Sequence, residues 1–206
     1  MTAVQLVGRS SSHFTRVVRM FAFELAVPLE FRPVLDLTSL ASSVYAENPA
    51  LKIPVLVDEQ GSLFGAENIC RALRSRSGKT AESVVMRGDV AQRAVANAEE
   101  LVLHVMSSGV SVIMAKAAGG GSVPVKVTTS MQNSLRYLDD ALESTLAALP
   151  QNRLCSFLEV TLFCVVTHLE FREIMDVSPY RRLHDFCQRF AERGSAQATP
   201  YRFDKA

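Results

Sequence analysis

The segment Leu6-Val7-Gly8-Arg9-Ser10-Ser11-Ser12-His13-Phe14-Thr15-Arg16-Val17-Val18-Arg19 passes from one backbone period to another within a single turn. The apolar run Ala3 to Gly8 predicts a short buried strand. Arg9 to His13 is a serine-rich turn. Phe14 to Ala26 then carries Val17, Val18, Phe21, Ala22 and Leu25 on one helical stripe. Pro28 ends that helix, and Leu29 to Val34 alternates around Glu30 and Arg32 as a second strand. A helix between two strands requires parallel pairing with a crossover.

Working outward, Asp36 to Ala46 reads as an irregular or weakly helical crossover. Pro54 to Asp58 and Ser62 to Phe64 read as strands joined by a turn at Gly61, and Gly65 to Arg74 as a short helix. The order β-α-β, crossover, β-β-α is the thioredoxin-like arrangement. The sequence therefore predicts an α/β domain over 1–75, a linker over 76–85 and an all-helical bundle over 86–206. No strand is predicted beyond the linker. Met86 to Ala117 is helical in period, with a kink expected at Gly109. Ala118 to Pro124 reads as a mobile connector. Val127 to Leu149 carries Met131, Leu135, Leu138, Leu142 and Leu146 on one face. Ser156-Phe157-Leu158-Glu159 is a capping box that opens a helix to Glu173, apolar all round and so expected at the centre. Pro179 is expected in the first turn of a last helix ending near Arg193.

The chain has 206 residues, 48% hydrophobic and 21% charged, with a net charge of +1. That is ordinary globular composition, with no basic excess for nucleic-acid binding. The first residues do not have the pattern of a secretory signal, and Leu101 to Ala118, broken by His104, Lys116 and serines, makes a poor membrane span. The cysteines Cys70, Cys155, Cys164 and Cys187 have no C-x-x-C spacing and read as reduced thiols of a cytoplasmic protein.

Four blocks in order resemble the cytosolic glutathione transferase family. Leu6 to Arg19 resembles its first strand, serine-type active-site turn and first helix. Asn48-Pro49-Ala50-Leu51-Lys52-Ile53-Pro54-Val55-Leu56 resembles its N-P-x-x-K-V-P-x-L segment. Phe64 to Leu73 resembles its E-S-x-A-I-x-x-Y-L segment, and the box at Ser156 its central-helix S-x-A-D box. The resemblance implies glutathione as co-substrate, no metal, a small hydrophobic electrophile between the domains over Met86 to Ala117, and a homodimer.

It also implies site residues. Ser12 falls on the hydroxyl that stabilises the glutathione thiolate, with Ser10 and Ser11 as fallbacks. A hydroxyl donor near a helix N-terminus favours the charged thiol. Ser12 is equally placed to be a plain N-cap. His13 replaces the family's proline and adds a polar group to the turn. Pro54 falls on the family's cis proline, which leaves the Ile53 main chain to pair with the cysteinyl part of glutathione. Lys52 is a candidate for the glycyl carboxylate, or a solvated loop lysine. The pair that holds the γ-glutamyl end falls on Gly65-Ala66, so both side-chain contacts are lost, leaving the helix N-terminus around Ala66 and the nearby Glu67.

Other signals carry less. The turn has no cysteine for thiol–disulfide exchange. Gly78-Lys79-Thr80 lacks the first glycine of a phosphate loop, since Leu73 stands there. Cys164 with His168, and His184 with Cys187, have ligand-like spacing but read as core. His104 is expected in the cleft or core, and Met106 and Met114 as core, with pocket lining the alternative. The sequence thus points to a glutathione transferase. Gly65-Ala66, Arg9 and His13 point to the alternative, a non-catalytic transferase-like scaffold or protein-interaction module.

Overall fold

The computed structural model describes residues 4–117, 119 and 123–205. The Ala3 start of the first predicted strand and most of the predicted connector Ala118 to Pro124 lie outside the described residues. A four-stranded sheet is built from β1 (Val4–Gly8), β2 (Leu29–Pro33), β3 (Val55–Asp58) and β4 (Gly61–Phe64), in the order β2-β1-β3-β4. β1 pairs parallel with β2, and β3 antiparallel with both β1 and β4. α1 (His13–Glu24) makes the parallel crossover, and a 3-10 turn at Ser42–Tyr45 lies in the connection to β3. This is the thioredoxin-like order that the sequence predicts.

The register decides where a site can form. Val7 of β1 lies opposite Val55 of β3, and Val55 opposite Phe64 of β4. The turn after β1, the residues before β3 and the residues after β4 therefore meet at one end of the sheet. Gly8 closes that end: a Cβ there would stand 2.5 Å from Thr15 Cγ2, so only glycine lets α1 approach β1.

α2 (Ala66–Ser77) runs three residues past the predicted end, because Gly78, in a left-handed conformation at φ 67°, and not Ser75 stops it. The stretch read as linker thus holds the last residues of α2 and the whole of β5 (Val84–Val85). β5 pairs parallel with β6 (Cys155–Ser156), a two-residue ladder that corrects the expectation of no further strands. Two residues are too few to leave a period-2 pattern.

The helical half contains α3 (Arg93–Ala117), α4 (Val125–Ala147), α5 (Phe157–Phe171), α6 (Arg181–Ala191) and α7 (Gly194–Ala198). α3 starts seven residues later than predicted, and Met86 is a fully buried residue before it. α3 runs unbroken through Gly109, where a Cβ would lie 3.8 and 3.9 Å from Ile174 Cδ1 and Leu169 Cδ2, in ordinary contact. α3 is also the one described helix long and apolar enough to cross a membrane, at mean hydropathy 1.3. Its inner residues Val95, Val102, Val105 and Met106 are fully buried here, as in the core helix of a globular bundle.

α5 is the central helix, buried from Phe157 to Leu169 with few exceptions. Ser156 Oγ accepts from the Glu159 N–H at 3.1 Å and donates to the Glu159 carboxylate at 2.7 Å. Pro179 precedes the Tyr180 N-cap of α6, two residues before the first helical position, so the first-turn expectation is corrected. α7 was not predicted; its five residues carry too little period. The two halves share one core. Val17, Val18 and Phe21 of α1 lie with Leu162, Phe163 and Val166 of α5 in a single buried cluster. Arg16, 6% exposed, is held without a carboxylate: it donates to Thr167 Oγ1 and the Ala196 carbonyl, between the rings of Phe163 and Tyr201.

Candidate functional site

Ser12 is the N-cap of α1. Its backbone is extended and its Oγ accepts from the Thr15 N–H at 3.3 Å. The N-cap bond engages only an acceptor lone pair, so the Ser12 hydroxyl proton remains free to donate. Capping and thiolate stabilisation are compatible at this atom. The Ser12 N–H donates to the Arg9 carbonyl at 3.0 Å, which closes the turn. Thr15 Oγ1 in turn accepts from the Arg9 N–H at 3.3 Å. Ser10 and Ser11 are buried, 2% and 4% exposed, whereas Ser12 is half-buried. Of the three serines, Ser12 is thus the most open.

The Ile53–Pro54 peptide is cis. Asn48 shapes the approach to it: its side chain accepts from the Ala50 N–H and donates to the Lys52 carbonyl. Pro54 is buried and Ile53 partly so, while Lys52 is exposed, as either reading of that lysine allows. No hydrogen bond within the described residues engages the Ile53 backbone.

The start of α2 is the third segment. Gly65 is its N-cap at φ 87°, a left-handed conformation that favours glycine, and it gives no side-chain cap. Ala66 is 8% exposed. The Glu67 carboxylate, on the cleft, accepts from Arg71 at 2.8 Å through Oε1, and Arg71 also donates to the Arg87 carbonyl. A cleft of about 260 Å³ opens beside this helix start. Gly65, Ala66 and Glu67 form its rim, and Val17, Met106 and Phe157 its apolar wall. Ser12 and Pro54 do not line it.

His13 is placed differently from the others. Its ring is 1% exposed and meets His168 of α5, Nδ1 to Nδ1, at 2.8 Å. His168 Nε2 lies 3.1 Å from the Ser11 carbonyl, which can only accept. His168 therefore carries its proton on Nε2, and His13 must donate from Nδ1. That leaves His13 Nε2 buried without a hydrogen-bond partner. Burial pushes the pKa of His168 down to about 4; the Ser11 carbonyl opposes this, and Arg172 and Arg16 add to it. Burial, then His168, holds His13 well below its ordinary value. Both rings are neutral near pH 7, and His13 faces the helical half.

The remaining candidates lie elsewhere. His104 is on the surface, bonded to Ser130 Oγ at 3.0 Å, which corrects its expected place in the cleft or core. Met106 is buried and reaches the cleft, while Met114 is 52% exposed. Burial pushes the Cys164 thiol up to about 12, so it is an inert core group. Among the described residues no cluster of potential metal ligands is found. Sequence reasoning missed His168 and Asp204, whose carboxylate accepts from the Ser10 N–H at 2.7 Å. They stand 157 and 194 residues from their partners, and no local period could have signalled them.

The turn before α1, the approach to β3 and the start of α2 thus converge at one end of a thioredoxin-like sheet joined to a helical bundle. Residues 6–81 match the family model of the glutathione S-transferase N-terminal domain. The chain resembles a glutathione S-transferase from Methylobacillus flagellatus, solved with glutathione bound, at 22% identity and TM-score 0.75, covering 96% of this chain and 99% of that one. It resembles a glutathione transferase family member from Pseudomonas fluorescens, also with bound glutathione, at 18% identity and TM-score 0.78, over 97% and 100%. A delta-class enzyme from Nilaparvata lugens is similar at 19% identity and TM-score 0.70, over 96% and 90%. Among curated proteins, none matches. The chain has the glutathione transferase fold, and its first part is a glutathione S-transferase N-terminal domain.

Proposed function

We propose that the protein is a glutathione transferase that joins the glutathione thiolate to a small hydrophobic electrophile. The observation that carries this reading is Ser12. It caps α1 with a free hydroxyl proton at the sheet end where the cis Pro54 segment and the start of α2 also arrive. A free thiol of pKa about 8.5 is mostly protonated at neutral pH. A hydroxyl donor and the positive end of α1 favour its ionised form. Glutathione would lie along Ile53 with its γ-glutamyl end at the backbone N–H groups of Ala66 and Glu67. The apolar wall of Met106 and Phe157 would receive the electrophile. The thiolate then attacks the electrophilic carbon, and the leaving group departs with its electron pair. Proximity and the lowered thiol pKa are the protein's contribution.

The test is calorimetric titration with glutathione, followed by conjugation assays on Ser12→Ala. Binding below millimolar concentration, with turnover lost in Ser12→Ala, is the expected result. Full turnover in Ser12→Ala at pH 7 would remove Ser12 from its role. A second reading, a scaffold without catalysis, is favoured by one observation: Gly65 and Ala66 offer no side-chain donors, and the Glu67 carboxylate already accepts from Arg71 through one oxygen. It expects no saturable glutathione binding. A homodimer and a cytoplasmic location accompany the first reading; light scattering at micromolar concentration tests the dimer.

A further inference from the structure

The active-site turn is held from outside its own domain. Ser12 can serve a thiol only if the backbone before it is fixed, and two groups from the helical half fix it. The Ser10 N–H donates to Asp204 Oδ2 at 2.7 Å, and the Ser11 carbonyl accepts from His168 Nε2 at 3.1 Å. The Ser11 carbonyl belongs to the same peptide plane as the Ser12 N–H, which is bonded to the Arg9 carbonyl. That plane is therefore clamped at both ends. We propose that His168 and Asp204 are positioning residues for Ser12: they set the turn so that its hydroxyl meets the glutathione sulfur. The proposal rests on the transferase reading above.

The two clamps are themselves anchored. His168 is set by His13, the first residue of α1, so the ring that holds the turn is oriented by the helix the turn opens. Asp204 lies in the segment after α7, with a side chain only 7% exposed. Tyr201 pins that segment: its hydroxyl donates to the Cys164 carbonyl at 2.6 Å and its ring stacks on Phe171 at 5.2 Å. Ser10 Oγ and Arg9 Nε are buried and make no bond that could hold the turn instead. A displacement of about 1 Å in a reacting group can cost a hundredfold in rate, so such clamps bear directly on turnover.

A carboxylate near the thiol has two opposite effects, and these make the test decisive. As a charge, Asp204 opposes the thiolate, and its removal should lower the thiol pKa. As a clamp it supports Ser12, and its removal should raise it. The experiment titrates the thiolate ultraviolet absorbance of bound glutathione in the wild type, Asp204→Ala and Asp204→Asn, and measures kcat and KM for each. Asp204→Ala is expected to raise the thiol pKa by about one unit, a tenfold smaller thiolate fraction, and to lower kcat more than it raises KM. Asp204→Asn keeps an acceptor oxygen and should recover most of the loss. His168→Leu should follow Asp204→Ala, and His168→Gln, which keeps a donor, should recover. If the thiol pKa falls or stays unchanged in Asp204→Ala while Ser12→Ala raises it, the positioning role is overturned and the transferase reading stands. If the wild type binds no glutathione, both fall. Asp204 lies outside the helices, in the segment after α7, so its variants decide the matter even if His168→Leu does not fold.

Discussion

The buried histidine pair and Glu99 set opposing pH dependences on stability, and each can be isolated. His168 is 2% exposed, with a pKa of about 4 against an ordinary 6.5. Between those values the unfolded chain binds the proton and the folded one does not. The stability His168 contributes is therefore complete above pH 6.5 and lost as pH falls towards 4. Each pKa unit is about 1.36 kcal/mol, so the full loss is about 3 kcal/mol, of which about 2 kcal/mol is gone by pH 5. His13 acts in the same direction.

Glu99 of α3 is 5% exposed, and burial pushes its carboxyl up to about 7. The Gly88 N–H and Arg87 pull it down, while Glu67 and Asp89 push it up. Here the folded chain binds the proton and the unfolded one does not, so stability is lost as pH rises from 4.5 through 7. The unscreened loss between pH 5 and 8 is about 2–3 kcal/mol; water near the carboxylate reduces it to about 1 kcal/mol. The wild type should thus lose less stability on acidification than its histidines dictate. The assay is urea unfolding at pH 5 and pH 8 for wild type, Glu99→Gln and His168→Gln. With a slope of about 2–3 kcal/mol/M, the His168 component of about 2 kcal/mol is about 0.7–1 M in midpoint. Relative to the wild type, Glu99→Gln should lose more on going to pH 5, and His168→Gln should lose less. Parallel midpoints for wild type and His168→Gln at both pH values would show that His168 is not held neutral by the fold. The same result for Glu99→Gln would mean that its carboxylate is ionised throughout.

Two further substitutions test the packing that carries the site. Gly8→Ala drives a Cβ into Thr15, a side chain already bonded to Arg9, and should cost about 1–3 kcal/mol in chemical unfolding; an unchanged midpoint would mean that α1 is free to shift away. Glu24 accepts from Arg193 at 2.9 and 3.0 Å and from Ser195 at 2.5 Å, tying α1 to the start of α7. Glu24→Ala leaves Arg193 two-thirds buried without its carboxylate and should cost about 2–3 kcal/mol, read as a lowered Tm; a stability equal to wild type would show that the tie adds nothing net.

The parts that were legible in the sequence share one property: their cause is local. The β1–α1 crossover follows from apolar spacing, the Ser156 cap from residues three apart, and α5 from its unbroken apolar composition. The three converging segments followed from a family resemblance over contiguous blocks. What escaped was set by distance along the chain or by too few residues. β5 and β6 are two residues each. Gly109 lies where Ile174 and Leu169 approach α3, a contact visible only once the chain is packed.

His13 makes the same point within the site itself. By position it belongs to the serine-rich turn, one residue after Ser12. By geometry it turns inward, because the first residue of α1 projects towards α5, where His168 waits at 2.8 Å. The departure from the family's proline at this position thus adds a bonded contact between the two halves of the chain, and through His168 that contact reaches back to the Ser11 carbonyl. A turn that reads as a run of serines is made specific by partners more than 150 residues away: the Ser10 N–H is held by Asp204 and the Ser11 carbonyl by His168, and of the three serines only Ser12 is not buried, its hydroxyl oxygen capping α1.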